Sequence, residues 1–168
     1  MLKKILLMVF MLAPLSLLAQ KFAHFNSNEV LAAYPAAKTV QTELENLGKQ
    51  YQSDLEAMQK ELQAKAQKFQ AEVTEKTPEN MKQRRVQELQ ELEQRIQQAY
   101  TDNQESFRKA QVEKMQPIQE AVFNALTAVL KDGGYVYAVD KAVVAGVTIN
   151  ETLSTDITAQ VKAKLGIK

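Results

Sequence analysis

Residues Val40 to Val73 carry a stripe of apolar side chains whose spacing limits the fold more than any other feature. Its members are Val40, Leu44, Leu47, Tyr51, Leu55, Met58, Leu62, Ala66, Phe69 and Val73. Steps of 4, 3 and 4 repeat three times, an eleven-residue period rather than a heptad. Eleven residues over three turns is about 3.67 per turn, near the relaxed α-helix, so the stripe keeps to one side of a nearly straight, slightly right-handed rod. So thin a stripe needs a partner of the same period. "EKTPEN" at 75–80 interrupts the helix, with Thr77 as a cap, Pro78 suited to the first helical position and Glu79 near the positive helix start. A second stripe follows through Leu89, Leu92, Ile96, Tyr100, Phe107, Ile118, Val122 and Val129, in which Ile96, Phe107, Ile118 and Val129 stand eleven apart. Two such stripes joined by a short turn predict an antiparallel helical hairpin. Roughly 36 residues per arm, at 1.5 Å each, give an arm of about 55 Å. A single unbroken helix is the alternative, against which Thr77-Pro78 argues.

The flanking segments have a different character. "KFAHFNSNEVLAAYP" opens as a short strand, Phe22 to Asn26, after which Asn26 or Ser27 caps a helical turn through Leu31 that stops before Pro35. Gly133-Gly134 ends the second long helix. "YVYAVD" at 135–140 and "AVVAGVTI" at 142–149 read as strands, apolar and so buried on both faces. Thr155 or Asp156 caps a last helix, closed by Gly166, with Ile157, Val161 and Leu165 on one face. These ends amount to about 70 residues, near the size at which a lone core is marginal. Three short strands with two apolar faces need more partners than one chain offers, so oligomerisation through this body is expected.

The chain begins MLKKILLMVFMLAPLSLLAQ. Lys3 and Lys4 precede an apolar run of 8 residues, Ile5 to Leu12, too short to span a bilayer. Pro14, Ser16 and small Ala19 follow, which reads as a secretory signal peptide cut near Ala19, with an uncleaved anchor as the alternative. There are no cysteines, which excludes disulfides, thiol chemistry and a lipid-modified cysteine. Without Lys3 and Lys4, 19 basic residues face 20 acidic ones, which gives no general affinity for nucleic acid.

A catalytic constellation is not evident. His24, the one histidine, alternates with aromatic residues in a strand, where a structural role is expected. No His/Cys cluster suits a metal, and Gly133-Gly134 ends a helix rather than forming a phosphate loop. Ser and Asp residues have no second histidine as a base, and Glu91 and Glu93 lie on a charged helix surface. The charge pattern says more. Residues 60 to 85 hold seven basic and four acidic residues, a net +3. Residues 43 to 56 are net −3 and residues 88 to 105 net −4. The arm thus has a basic tip over an acidic shaft. Lys65, Lys68, Lys82, Arg84 and Arg85 are candidate contacts for an anionic surface or an acidic chain; ordinary helix-surface pairing is the equal alternative. Pro117 inside the second helix, where arm meets body, is a candidate hinge or a static kink.

In layout the chain resembles the Skp/OmpH family of periplasmic chaperones over essentially its whole mature length. The resemblance rests on five short matches in order: the signal peptide, "FAHFNSNEVLAAYP" at 22–35, "QPIQEAV" at 116–122, "GGYVYAVD" at 133–140 and "DITAQVKAKLGIK" at 156–168. It implies a homotrimer in which a small body of strands carries three helical tentacles around a cavity. That cavity would hold unfolded outer-membrane proteins, without ATP and without any cofactor, and the basic tips would meet an anionic membrane surface. Near-neutral charge and Asn26 in place of the family's usual Asp are departures.

The expected fold is therefore α+β, mainly α: a leader at 1–19, a β-containing trimerisation body from 20–38 and 117–168, and a hairpin tentacle at 39–116. The expected function is an ATP-independent periplasmic holdase, not an enzyme, with unfolded outer-membrane proteins and its own copies as partners. A structural or adaptor hairpin of the envelope is the alternative.

Overall fold

The computed structural model describes residues 20–144 and 146–167; the expected leader lies outside them. The elements are β1 (Lys21–Phe25), α1 (Ser27–Ala33), α2 (Pro35–Glu72), α3 (Glu79–Gly133), β2 (Tyr135–Asp140), β3 (Ser154–Asp156) and α4 (Thr158–Lys164). The fold is α+β and mainly α, with two long helices and one small sheet. Two compact units result: Ala36–Ile118, and the segments either side of it.

The body is organised by β1. It is the middle strand of the order β2-β1-β3 and pairs in parallel with both neighbours. Parallel neighbours need long crossovers, which α1 to α3 supply between β1 and β2. Ala23, His24 and Phe25 are buried in succession, so β1 is covered on both faces. Asn26 then caps α1: its Oδ1 accepts from the Glu29 N–H at 3.3 Å and its Nδ2 donates to Glu29 Oε1 at 2.9 Å. Tyr34 is extended, and Pro35 opens α2, where its missing N–H is no loss. The core joins Ala23, Phe25 and Val30 to Val122, Ala125 and Val129 of α3 and to Ile157 and Val161 at α4.

Two expectations for the body are corrected. Residues 142–149 form no strand; turn and irregular backbone cover their described part, and Val143, Val144 and Val147 are exposed. The third strand is instead Ser154–Asp156, beside β1. Nor is β2 buried on both faces, since Val136 and Tyr137 are exposed within the single chain. β-branched composition signals an affinity for sheet surface, and among the described residues no second layer covers that surface.

Local chemistry closes the elements. Asp156 Oδ1 accepts from the Thr158 N–H at 2.9 Å and from its hydroxyl at 2.6 Å, just ahead of α4. At the other end Gly166, at φ 72°, lets its N–H reach Ala163 O and the Ile167 N–H reach Lys162 O, a Schellman closure. Gly134, at φ 66°, ends α3 in the same left-handed conformation. At the tip Thr77 does not cap α3: its hydroxyl accepts from the Thr74 N–H at 2.9 Å, and the Pro78 carbonyl takes the first helical bonds, from Met81 and Lys82. Helix α3 runs through Pro117.

The hairpin follows the stripes. Every member from Val40 to Val73 is half-buried, and its neighbours on α2 are exposed apart from Gly48. Lys114 Nζ meets Glu43 Oε2 at 2.7 Å and Phe107 lies against Gly48, while Arg85 and Leu89 share a groove with Phe69 and Val73. Partner numbers fall on one helix as they rise on the other, so the pair is antiparallel. On α3 the less exposed line runs Leu92, Ile96, Ala99, Asn103, Phe107, Ala110, Lys114 and Ile118. Tyr100, expected on the seam, is displaced from it by Ala99 and is 50% exposed. Gly48 is not required by packing, because a Cβ there would meet only Phe107 Cε2, at 3.6 Å. Gly48→Ala should therefore stabilise the hairpin by about 0.5–1 kcal/mol, the helix-propensity gain. Slower amide exchange around residues 44–52 measures it; faster exchange would mean the ring cannot tolerate the methyl.

Candidate functional site

Two surfaces of the hairpin and one cluster in the body hold the chemistry worth testing. The first surface is the basic end. Lys65 Nζ lies 2.7 Å from Glu61, Lys68 3.8 Å from Glu72, and Lys82 3.8 Å from Glu79. Arg84 and Arg85 both lie 3.5 Å from Glu88. Each expected contact residue thus has an acid within one helical turn. Such exposed pairs stabilise little and open readily to a competing anion. Hydrogen bonding from Lys65, then its charge, holds the Glu61 carboxyl below its usual value, and Arg95 adds to this. The fold brings Lys65, Lys68 and Arg85 together around a floor of Phe69, Val73 and Leu89. Lys82 and Arg84 stand outside that group.

The second surface was not expected. Between α2 and α3 a groove of about 540 Å³ opens beside Gly48, walled by Tyr51, Leu55, Tyr100 and Phe107. Amides line its edges, and Glu56 is its single charged lining residue. Tyr51, Leu55 and Phe107 are half-buried at the interface, as their place in the stripes predicts. The opening beside them leaves no mark in an apolar spacing, which registers neither a glycine at 48 nor a Tyr100 turned off the seam.

In the body, His24 Nδ1 lies 2.9 Å from Ser154 Oγ, and its Nε2 lies 3.9 Å from Asp156 Oδ2. The fold thus brings a histidine to a serine and an aspartate that lie some 130 residues further along the chain and two apart from each other. The geometry is that of a strap between β1 and β3. His24 is 2% exposed, 3.9 Å is too long for a hydrogen bond, and Asp156 Oδ1 is already held by Thr158. Partial burial opposes ionisation of Asp156, but the Thr158 bonds, His24 and Lys141 overcome it and hold the carboxyl below its ordinary value. Among the described residues no group of three or more His, Cys, Asp or Glu is arranged to hold a metal ion. No helix among them is long and apolar enough to cross a membrane.

A small parallel sheet and one long antiparallel helical hairpin, the latter with a groove and a charged end, define the fold class. The chain belongs to the outer membrane protein (OmpH-like) family, whose model matches residues 21–165. It is similar in structure to a candidate outer membrane chaperone (OmpH-like) from Caulobacter crescentus CB15, at a TM-score of 0.73 and 16% identity, with 87% of this chain and 83% of that one covered. At that identity the likeness speaks for the fold. No curated protein matches the chain.

Proposed function

We propose that this chain is an ATP-independent periplasmic holdase that binds unfolded outer-membrane proteins between the helical arms of a homotrimer and keeps them from aggregating. The observation that carries the reading is apolar surface that one copy leaves uncovered on its sheet. Tyr137, Val147 and Leu153 border one groove with Phe22, whose ring lies 5.2 Å from that of Tyr137, and Leu153 is 74% exposed. Phe123 on α3 is 67% exposed. Apolar surface of this kind marks an interaction site. Covering it with copies of the same chain would consume the body in assembly and leave the hairpins to hold clients. Family membership and the description of the Caulobacter protein as a candidate chaperone support the same role. Many weak contacts along a long, wet arm suit a binder of varied unfolded chains. In this reading Lys65, Lys68, Lys82, Arg84 and Arg85 approach an anionic membrane surface, and Pro117 is where the arm flexes.

The test is light scattering of a barrel protein diluted from urea, with the intact mature protein, a deletion of 50–105, and a variant neutral at Lys65, Lys68, Arg84 and Arg85. The intact protein should suppress aggregation without nucleotide. The deletion should keep the trimer mass and lose protection. The tip-neutral variant should slow capture or membrane delivery more than it weakens holding. Salt should weaken holding only modestly, because the basic excess is confined to the tip. Protection by the arm-deleted form would defeat the cavity model, and no protection by the intact protein would defeat the holdase reading in favour of an adaptor hairpin.

A further inference from the structure

We propose that the groove beside Gly48 is a docking slot for an extended polypeptide segment carrying an aromatic side chain flanked by Lys or Arg. This rests on the holdase reading and names the segment such a protein would hold first. The slot exists because position 48 has no side chain, and the seam does not require that absence: a Cβ would make only an ordinary contact with Phe107. Its walls are Tyr51, Leu55, Tyr100 and Phe107, so it offers aromatic faces and edges to an inserted ring. Tyr100, turned off the seam and half exposed, gains no full burial where it stands and is free to cover a guest. A volume of about 540 Å³ is in the range that holds one large side chain with its adjoining backbone. Amides at the edge, such as Gln59, Asn103 and Gln104, both donate and accept, which suits the unpaired peptide groups of an extended chain.

Charge decides which aromatic segment fits. Glu56 is the one charged residue of the lining, and Gln52 Nε2 steadies it by donating to Oε1 at 2.9 Å. The helix segments that flank the groove, 43–62 and 96–111, carry net −3 and 0, so its surround is acidic on the α2 side. Basic flanks on the guest are attracted over about 10 Å at ordinary salt, and acidic flanks are repelled. A cation beside the ring also gains from the Tyr51 and Tyr100 faces. The slot therefore favours basic guests where the basic tip favours anionic ones, and the two surfaces divide the arm between different partners.

Fluorescence anisotropy on the intact mature protein tests this with three short labelled Ser/Gly peptides: Phe between two Lys, Phe between two Glu, and Ala between two Lys. The first should bind about tenfold or more tighter than the others. Gly48→Leu fills the slot while favouring the helix and should lose about tenfold in affinity for the first peptide. Tyr100→Ala, at a half-exposed position, should lose about threefold, and Glu56→Gln should narrow the Lys-over-Glu preference. Unchanged affinity in a folded Gly48→Leu, equal binding of the Glu peptide, or no binding of the first peptide at about 1 mM would overturn the slot. A change of mass on Gly48→Leu would show that a second copy occupies the groove, which also overturns it. The aggregation assay separates the two levels: protection without peptide binding removes the slot and leaves the holdase, whereas loss of both removes both.

Discussion

Val161→Asp should unfold the body and abolish its amide protection across residues 21–33 and 154–165. Val161 is fully buried in the middle of the short α4, within the cluster that joins β1, α1, α3 and α4. The substitution removes the packing of a branched side chain and puts a carboxylate where the surrounding cluster is apolar. An unpaired buried charge and the lost burial together cost about 4–5 kcal/mol or more, as large a share of stability as a body of this size has to lose. Val161→Ala is the control: it removes methyl groups alone and should cost about 1–2 kcal/mol, with the protected core retained. Urea unfolding followed by amide exchange reads both. If Val161→Asp keeps native protection, the cluster around Val30, Ile157 and Val161 does not hold the body together. Under the trimer proposal the same variant also loses assembly, because the sheet that would present the interface is gone.

Leu92→Glu is the matching experiment on the hairpin. Leu92 is 2% exposed, the most buried side chain of the Ala36–Ile118 unit. The register set by Glu43 opposite Lys114 and Gly48 opposite Phe107 brings it across from the turn holding Leu62 and Ala66. A glutamate there either buries its charge or pries the helices apart, at about 3–4 kcal/mol. The effect should be local. Exchange across 55–110 should accelerate by about a hundredfold or more, which that energy implies, while residues 21–33 stay protected. Tyr100→Glu, one residue set away from the seam, should change exchange little because Tyr100 already faces water. Equal damage from the two substitutions would show that the seam is not the line through Leu92, Ala99 and Phe107.

That contrast also shows what could be read from the sequence. Along α2 and into Val73 just past it the stripe is written in large apolar residues except Ala66, so spacing identifies all ten of its members, and all are half-buried. On α3 the same period is carried in part by Ala99, Asn103, Ala110 and Lys114, which no apolar count selects. A seam that stays half wet tolerates an amide or the stem of a lysine at little cost, so its pattern is weaker than that of a dry core. The nearest bulky residue, Tyr100, puts its apolar signal on the wrong side of that line. The sheet failed differently. Val143, Val144 and Val147 have strong strand propensity, yet the strand is Ser154–Asp156, whose composition gives no such signal. Parallel pairing beside β1 is settled by where the chain returns from its crossover, information that lies in the fold as a whole. The meeting of His24 with Ser154 and Asp156 was hidden for the same reason. Three of the caps were legible, Asn26, Gly134 and Gly166, each acting through bonds to near neighbours; Thr77 was not, because its hydroxyl is taken by the Thr74 N–H.

The period of the stripes makes the hairpin extensible in fixed increments. Three turns return the seam to the same side of each helix, so eleven residues added to both α2 and α3 at matching heights lengthen the pair by about 16 Å and leave every existing contact in register. An addition of five residues to each would turn the outer stripe toward water and unzip whatever lay beyond it. Reach can therefore change over evolutionary time, or by design, while the turn at 73–78 and the Gly48 groove keep their orientation along the rod. Under the holdase proposal, arms whose length must match the bulk of what they enclose have, in this repeat, a unit for doing so.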